Sequence, residues 1–264
     1  MMRMIKILGG IGLAFLLLPI VVVLLYSINP APYISFPPTG FSLRWFSALL
    51  ENDAIIRAVR TSLVVALGVA ALSTVLGTPA AIWLWRSNSR LKGAIHGLLM
   101  APLLTPLIVL AVSIYALYSS LHLIGSTVGL IVAQTTLGLP MVVTAVTATL
   151  ANVNKDLERA AAVLGARRGQ TLVRVTLPTA SGGMLTGFVL AFGISFDELL
   201  IAMFVAGITG QTLPVKIWEQ LRTGVSPEIT AAAAALIMFS VLLLVVVVVS
   251  QSIARRRRER ETAR

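Results

Sequence analysis

Long uncharged runs of apolar residues constrain this chain more than any other feature of its sequence. The stretch from Gly93 to Asn154 contains 62 residues without a single Lys, Arg, Asp or Glu. A helix needs about 20 apolar residues to cross the ~30 Å hydrocarbon layer of a membrane. This stretch is therefore too long for one crossing and has the length of two. Comparable runs occur on both sides of it, and the pattern predicts an all-α, polytopic membrane protein.

Six transmembrane helices are expected from these runs. Pro102 and Pro106 should bend the third of them, and Pro140 the fourth, because proline removes a helical hydrogen bond. The expected spans are residues 7–28, 61–85, 94–120, 127–150, 179–206 and 229–254. The first could instead be a secretory signal. However, the segment 29–32 that follows it lacks a small-x-small cleavage site, which favours an uncleaved helix.

The composition supports a membrane protein and excludes several kinds of site. Hydrophobic residues make up 57% of the 264 residues and charged residues 12%, with a mean hydropathy of +0.93. Soluble chains contain about 25% charged residues. Six spans leave little chain for a separate soluble domain, so residues 1–264 are expected to form one transmembrane domain. The sequence contains no cysteine, which excludes a disulfide framework, a thiolate nucleophile and a cysteine zinc site.

The placement of the basic residues predicts the orientation of the chain. With six spans, both termini lie on one side of the membrane, together with the turn at 86–92 and the segment 154–178. These parts hold 16 of the 21 Lys and Arg residues, and the opposite loops hold 5. Basic residues accumulate on the cytoplasmic side, so both termini and segment 154–178 are expected in the cytoplasm. The basic tail, residues 255–264, is then a topology and lipid-headgroup anchor, and a nucleic-acid role is disfavoured.

The segment 154–178 is the one long polar stretch between two apolar runs. Its first half has helical periodicity, with one narrow apolar stripe formed by Leu157, Ala160, Ala161 and Leu164. Gly165 is expected to break or cap this helix. A short helix with a small-residue face at a membrane surface could insert into a socket on another protein. An ordinary loop helix that lies on the bilayer would show the same pattern.

This segment also resembles a known family motif. Ala160 and Ala161 are followed by three residues and Gly165, and nine residues later comes Val-Thr-Leu-Pro, residues 175–178. The arrangement is similar to the Glu-Ala-Ala loop in permease subunits of binding-protein-dependent ABC importers. Arg159 occupies the Glu position of that motif, and Glu158 lies immediately before it.

The resemblance implies a type I ABC importer (MetI-like) fold in a bacterial inner membrane. The loop would be a cytoplasmic coupling helix that docks on an ATPase. The implied partners are a second permease, as a heterodimer or a second copy, two cytoplasmic ATPase subunits that hold ATP and Mg, and an external solute-binding protein. No cofactor is implied in this chain itself.

The residues implied to contact the ATPase are Leu157, Glu158, Arg159, Ala160, Ala161, Leu164 and Gly165. The segments 30–52 and 207–228 are the expected docking surfaces for the binding protein.

Two acidic residues, Asp197 and Glu198, lie in the fifth expected span. At 1.5 Å per residue, Asp197 would lie ~27 Å along a helix that begins at Thr179. Ionisable residues at such depth usually face a cavity, a partner or a pathway. Adjacent residues diverge by about 100° on a helix, so at most one of them can face a central path. Acidic lining favours a cationic solute. The alternative is that one carboxylate is interfacial and the other pairs with a neighbouring helix.

A narrower resemblance concerns the solute. The segments 43–46, 195–198, 212–218 and 224–229 are similar to spermidine/putrescine permease subunits of the same family. This similarity implies polyamine contacts at Trp45, Asp197 and Glu198, with Ser195 in the same pathway segment. Related subunits serve other small organic solutes, including amino-acid-like compounds.

Three other classes of protein are disfavoured. An ATPase would need a Gly-Lys-Ser/Thr loop, and none of the four lysines follows a glycine. His96 and His122 stand alone in the sequence, so neither a metal site nor an enzyme is predicted. An ion-coupled secondary transporter could use Asp197 or Glu198, but such proteins usually contain matched repeats, and the fifth-span pattern has no second copy. A structural or assembly protein without a solute path is the remaining alternative.

Overall fold

The structure, a computed structural model, describes residues 2–31, 33, 37–151, 153–207, 210–224 and 226–262. In chain order the first helices are α1 Met2–Ser27, α2 Arg44–Glu51, α3 Asp53–Arg86, α4 Lys92–Leu104, α5 Leu107–Ser120 and α6 Thr127–Ala151. They are followed by α7 Asp156–Val163, α8 Arg168–Thr171, a π-helical turn Leu172–Thr176, α9 Leu177–Phe196, α10 Leu200–Val205, α11 Leu213–Thr223 and α12 Pro227–Thr262. Strands do not occur within these ranges, so the all-α prediction is confirmed.

Several helices have the length and apolarity of membrane spans. The described residues contain four such helices, Leu8–Ser27, Asp53–Arg86, Thr127–Ala151 and Arg168–Phe196. The bent pair α4 and α5 gives a fifth if it is counted as one span. The apolar part of α12, Pro227–Leu242, is shorter. The structure thus supports a multi-pass membrane protein with four or five candidate spans.

The third expected span is broken rather than gently bent. Helices α4 and α5 meet at 98°. Thr105 between them is extended, with φ −82° and ψ 134°, because the residue before a proline is pushed out of the helical region. Pro106 follows it and precedes α5. A proline at the junction therefore converts the expected bend into a corner.

The fifth expected span also differs from the single helix 179–206. The helix starts earlier, at Arg168, and reaches Phe196 through the π-helical turn. Pro178 has no N–H to donate, and the Leu177 N–H bonds five residues back to the Leu172 carbonyl, so the wider turn accommodates the proline. The helix then ends before Asp197, and α10 starts only at Leu200. Asp197 and Glu198 therefore lie in a break, and the expectation that they sit inside one continuous helix is wrong.

The chain divides into two compact units, Met1–Arg60 with Leu213–Leu242, and Thr61–Thr212 with Leu243–Arg264. The first unit has a small apolar core from α2, the start of α3, α11 and the start of α12. Asn52 donates a hydrogen bond of 3.0 Å to Glu228 beside it. The buried members of this core are Leu49, Ile55, Ala58, Leu213, Ile217, Ile229, Ala231 and Ala232.

The second unit is built on the close contact of α6 with α9. Two glycines of α9, Gly183 and Gly187, face α6. A Cβ at Gly183 would lie 2.9 Å from the Ala145 carbonyl oxygen, and one at Gly187 would lie 2.8 Å from the Val142 Cα. The two backbones approach this closely only because glycine has no side chain, as in small-residue packing of membrane helices.

Candidate functional site

The loop helix α7 ends as the sequence predicts. Gly165 has a φ of +85°, the left-handed region in which glycine carries no steric penalty. The Gly165 N–H donates to the Ala162 carbonyl and the Ala166 N–H to the Ala161 carbonyl. These two bonds form a Schellman motif, which satisfies the last carbonyls of the helix. The prediction that Gly165 caps α7 is confirmed.

The predicted apolar stripe of α7 mostly faces outward. Leu157 is 50% exposed and Leu164 is 87% exposed. Ala160 is also exposed, whereas Ala161 is half-buried. Val163, which the periodicity did not include, is exposed as well. The second unit therefore presents an apolar surface on α7 that its own described residues leave uncovered.

Glu158 is held by contacts within the chain. Its carboxylate lies 2.6 Å from the guanidinium of Arg86, the last residue of α3. The Arg86 Nε donates to both carboxylate oxygens at 3.1 Å. The Thr176 hydroxyl donates to the same carboxylate, and Arg86 also donates to the Thr176 oxygen at 3.1 Å. We call Arg86, Glu158 and Thr176 the loop clamp, because they join α7 to the end of α3 and to the π-helical turn.

The electrostatics of the loop clamp keep Glu158 ionised. Partial burial of the carboxyl raises its pKa. The hydrogen bonds from Arg86 and Thr176 and the positive charges of Arg86 and Lys155 oppose this effect, and the pKa of Glu158 is lowered below its ordinary value. Lys155 also lies over the Trp85 ring, 5.6 Å from its centroid. Two adjacent residues at the end of α3, Trp85 and Arg86, thus contact Lys155, which precedes α7, and Glu158 within it.

Arg159 behaves differently from Glu158. Its side chain is 79% exposed and forms an ion pair with Asp156 on the same helix, at 2.8 Å. The sequence left open which of Glu158 and Arg159 meets a partner. The geometry turns Glu158 toward α3 and leaves Arg159 on the outside of α7.

A cavity of about 440 Å³ lies in the second unit where two broken helices meet. Thr105, at the α4–α5 corner, lines one side, and Leu137 of α6 contributes to the wall. Asp197 and Glu198, in the break between α9 and α10, line the other side. Thr105 and Asp197 are the residues at which α4 and α9 end, and Leu107 and Leu200 are the first residues of α5 and α10. Two helix C-termini and two helix N-termini therefore line this cavity.

The two acidic residues of the break have opposite environments. Asp197 is exposed, and among the described residues its carboxylate is in no ion pair. Glu198 is 5% exposed. The Ile201 and Ala202 N–H groups of α10 donate to its carboxylate at 2.7 and 2.9 Å. The side-chain amide of Gln134 also donates to it, at 2.9 Å. Asp197 therefore has the accessible carboxylate of the pair, and both oxygens of Glu198 already accept hydrogen bonds.

Ser195 belongs to the same buried network. Its hydroxyl donates to the carbonyl oxygen of Gln134 at 2.6 Å, and both residues are buried. The order of donation is Ser195 to Gln134, Gln134 to Glu198, and the backbone of α10 to Glu198. We call Ser195, Gln134 and Glu198 the break brace.

Trp45 lies in the first unit. Its indole N–H donates to the Asn29 carbonyl at 2.9 Å. The guanidinium of Arg44 lies over the ring, 4.2 Å from its centroid. The predicted solute contact of Trp45 would use a ring that already has a cation on one face.

Three residues of these sites were absent from the sequence expectations. Arg86 was counted only as part of a basic turn, and Thr176 only as part of a loop motif. Gln134 is a primary amide in the middle of a charge-free apolar run, which is the one local signal that could have indicated a buried polar contact. Within the described residues, no three His, Asp or Glu side chains form a group that could hold a metal ion.

Residues 73–260 match the family described as binding-protein-dependent transport system inner membrane component. The spermidine/putrescine transport system permease protein PotC of Haemophilus influenzae is 35% identical over 221 residues, which cover 83% of this chain and 84% of that protein. PotC of Escherichia coli K12 is 33% identical, with 83% and 82% covered. The putrescine transport system permease protein PotI of the same strain is 33% identical, with 84% and 81% covered.

Solved structures show the same fold at low sequence identity. A bacterial ABC transporter involved in the import of the acidic polysaccharide alginate aligns with a TM-score of 0.66 at 15% identity, over 96% of this chain and 95% of that one. A second structure, of the bacterial alginate ABC transporter in complex with an alginate pentasaccharide-bound periplasmic protein, aligns with a TM-score of 0.65 at 19% identity, over 97% and 94%. The helical arrangement is therefore that of an ABC importer permease. Since the family match spans more than half of the chain, the chain belongs to the binding-protein-dependent transport system inner membrane components.

Proposed function

We propose that this chain is a non-catalytic permease subunit of an ATP-driven ABC importer and forms half of a translocation pathway for polyamines such as spermidine or putrescine. The relatives PotC and PotI, with 33–35% identity over most of both chains, support this solute class. The observation that carries the proposal is the free carboxylate of Asp197 in a cavity between two broken helices.

The chemistry of this cavity favours a cation. The C-terminal ends of α4 and α9 carry partial negative charge and the N-terminal ends of α5 and α10 carry partial positive charge, and all four ends line the cavity, so their effects oppose one another. The carboxylate of Asp197 adds a negative charge to this lining. An ammonium group would be stabilised by this carboxylate, whereas an anion would be repelled by it. Leu137 and Leu103 line the same space and suit the methylene chain of a polyamine.

The proposed topology has six crossings with both termini in the cytoplasm. The four long helices, the broken pair α4–α5 and α12 supply the crossings, and the 16-to-5 distribution of basic residues supports the orientation. Helix α7 then faces the compartment that contains ATP. Its exposed residues Leu157, Ala160 and Leu164 form the surface that docks on the ATPase.

The loop clamp connects that surface to the membrane helices. In the proposed mechanism, closure of two ATPase subunits, which hold ATP and Mg, displaces α7. Arg86 and Thr176 pass the displacement to α3 and to the helix that begins at Arg168. The spans then turn the pathway outward to receive solute. A second permease forms the other half of the pathway.

An external solute-binding protein is the proposed source of the solute. The related alginate transporter has been solved with a periplasmic binding protein in complex. The segments 30–52 and 207–228 are the proposed docking surfaces. They contain α2 and α11, while residues 32, 34–36, 208, 209 and 225 of these segments lie outside the described residues.

The test is ATP-dependent uptake of radiolabelled spermidine by the complete importer in proteoliposomes. We expect uptake with ATP and none without it, and we expect Asp197→Asn to raise the KM for spermidine by about tenfold, the loss of one charge-assisted contact. Thr105→Ser is the matched control, because it keeps a hydroxyl at the same cavity. Uptake of an uncharged or anionic solute in place of spermidine would refute the polyamine assignment, and uptake that depends on an ion gradient without ATP would refute the importer.

A further inference from the structure

The break between α9 and α10 needs a separate explanation for its stability. A helix that ends inside a membrane protein leaves carbonyls and N–H groups without intrahelical partners. Such groups are costly in a low-dielectric interior. The start of α10 exposes the Ile201 and Ala202 N–H groups, and the Glu198 carboxylate accepts both of them. The Glu198 carboxylate therefore accepts the hydrogen bonds that the carbonyls of a preceding helical turn would otherwise accept.

Glu198 is in turn held from a different helix. The Gln134 amide reaches it from α6, from a position 64 residues earlier in the chain. Gln134 is fully buried, with 0% exposure. Its amide has two chemically distinct ends, and each has a matching partner, the Ser195 hydroxyl at the oxygen and the Glu198 carboxylate at the nitrogen. The break is thus attached to α6 on both of its sides, through Ser195 at the end of α9 and Glu198 before α10.

We infer that Gln134 is a positioning residue, which acts through Ser195 and Glu198 to hold the α9–α10 break open and so directs Asp197 into the cavity. This inference rests on the proposed function for the role of Asp197, but the brace itself is a property of the chain. Under this inference, Ser195 and Glu198 stabilise the break and are not solute contacts. A buried network in which the oxygen and the nitrogen of the amide each have a partner favours one geometry, because a polar group that loses its partner in the interior is costly.

A reciprocal exchange distinguishes support from solute contact. Gln134→Glu places two carboxyl groups in contact and should lower spermidine uptake by about tenfold or more. Adding Glu198→Gln restores one amide and one carboxylate at the same two positions with the donor direction reversed. The Ser195 hydroxyl then still finds an acceptor at position 134, and the amide oxygen at position 198 still accepts from the Ile201 N–H, whereas the Ala202 N–H loses the oxygen that it shares with Gln134 in the wild type. We therefore expect partial recovery, with uptake by the double variant several-fold above that of Gln134→Glu and below that of wild type.

The outcomes are separable. Failure of the double variant to improve on Gln134→Glu would overturn the brace. So would a Glu198→Gln single variant that assembles normally and raises the KM for spermidine by the same factor in the wild-type and the Asp197→Asn backgrounds, because an independent effect would make Glu198 a solute contact. Under the inference, the KM effect of Glu198→Gln is largely absent when Asp197 is already replaced, because Glu198 acts through Asp197.

A second readout does not depend on the solute. The chain has no native cysteine, so Asp197→Cys provides a single thiol whose labelling by a water-soluble methanethiosulfonate reports the position of residue 197. In the assembled complex, Gln134→Leu should lower this labelling rate by about tenfold, because residue 197 is no longer directed into the cavity. Gln134→Asn, which is one methylene shorter, should lower the rate less. An unchanged rate with Gln134→Leu would overturn the brace even if the importer carries no spermidine. Absent spermidine uptake with the expected labelling changes would overturn only the polyamine assignment.

Discussion

The guanidinium of Arg86, the last residue of α3, lies 2.6 Å from the carboxylate of Glu158 on the loop helix α7. The two residues are 72 positions apart in the chain, and Thr176 closes the group from the π-helical turn before α9. This contact gives the loop helix a defined attachment to two long apolar helices. Glu158, which precedes the motif position, is therefore held by contacts within this chain. Arg159, which occupies the motif position, is exposed.

The first prediction concerns coupling through the loop clamp. Arg86→Ala removes the partner of a half-shielded carboxylate, and we expect a stability loss of about 1 kcal/mol, since the side chains are only partly buried. We further expect ATP hydrolysis by the assembled importer to continue while uptake falls several-fold, because α7 no longer moves α3. ATPase activity and uptake are measured on the same proteoliposomes.

Arg90→Ala is the matched control for this prediction, because it removes an exposed positive charge from the same turn. It should leave the ratio of uptake to hydrolysis unchanged. Equal effects of the two substitutions would assign the loss at Arg86 to surface charge. Restoration by the exchange Arg86→Glu with Glu158→Arg would strengthen the assignment to the pair.

The second prediction is a pH dependence. The folded-state pKa of Glu158 is lowered, so the clamp stabilises the protein fully at pH values above the ordinary carboxyl range, about 4.3 for Glu. This stabilisation is lost as the pH falls through the lowered pKa. The difference in thermal midpoint between wild type and Glu158→Gln should be constant from pH 8 to about 5 and should shrink below that. A difference that grows on acidification would contradict the ion pair.

The third prediction follows from the opposite environments of the two acidic residues. In a chain without native cysteine, Asp197→Cys should react with a water-soluble thiol reagent, whereas Glu198→Cys should react slowly because position 198 is buried. Spermidine should protect Asp197→Cys from the reagent. Rapid labelling at position 198 with none at 197 would reverse the assignment.

The fourth prediction uses two adjacent glycines of α9. A Cβ at Gly183 would lie 2.6 Å from the Thr149 hydroxyl and 2.9 Å from a backbone carbonyl oxygen, while one at Gly182 would meet nothing within 4 Å. Gly183→Ala should therefore destabilise the α6–α9 contact by about 1–3 kcal/mol. Gly182→Ala should be neutral or slightly stabilising, since alanine favours the helix. Thermal unfolding of the two purified variants tests the difference, and equal midpoints would contradict the close packing.

The fifth prediction concerns the cap of α7. Gly165→Ala places a side chain at φ +85°, which costs roughly 1–2 kcal/mol. Gly165→Asn should cost less, because asparagine tolerates the left-handed region. Co-purification of the ATPase with the permease should weaken with Ala and be largely retained with Asn. Equal retention would mean that the cap does not shape the docking surface.

Much of the local structure follows from the sequence. The apolar runs predict helices of membrane length, Gly165 predicts the end of α7, and Pro106 predicts a bend in the third span, which the structure shows as a 98° corner between α4 and α5. These features depend on residues close together in the chain, where a missing N–H or an absent Cβ acts directly on its neighbours. Of the residues that the family resemblance singled out, Asp197 and Glu198 line the cavity and Leu157, Ala160 and Leu164 are exposed on the loop helix or at its end, whereas Trp45 lies in the first unit.

Only the tertiary structure determines which side chain in each segment is exposed and which is held by contacts to another helix. Asp197 and Glu198 are adjacent, and a continuous helix would have separated them by rotation. The break in the helix instead leaves Asp197 exposed and buries Glu198 against Gln134, which is 64 residues away. The same holds for Glu158, whose partner Arg86 is 72 residues away. A sequence determines periodicity and turn chemistry because these act over a few residues, whereas hydrogen-bond partners across helices depend on how the helices pack.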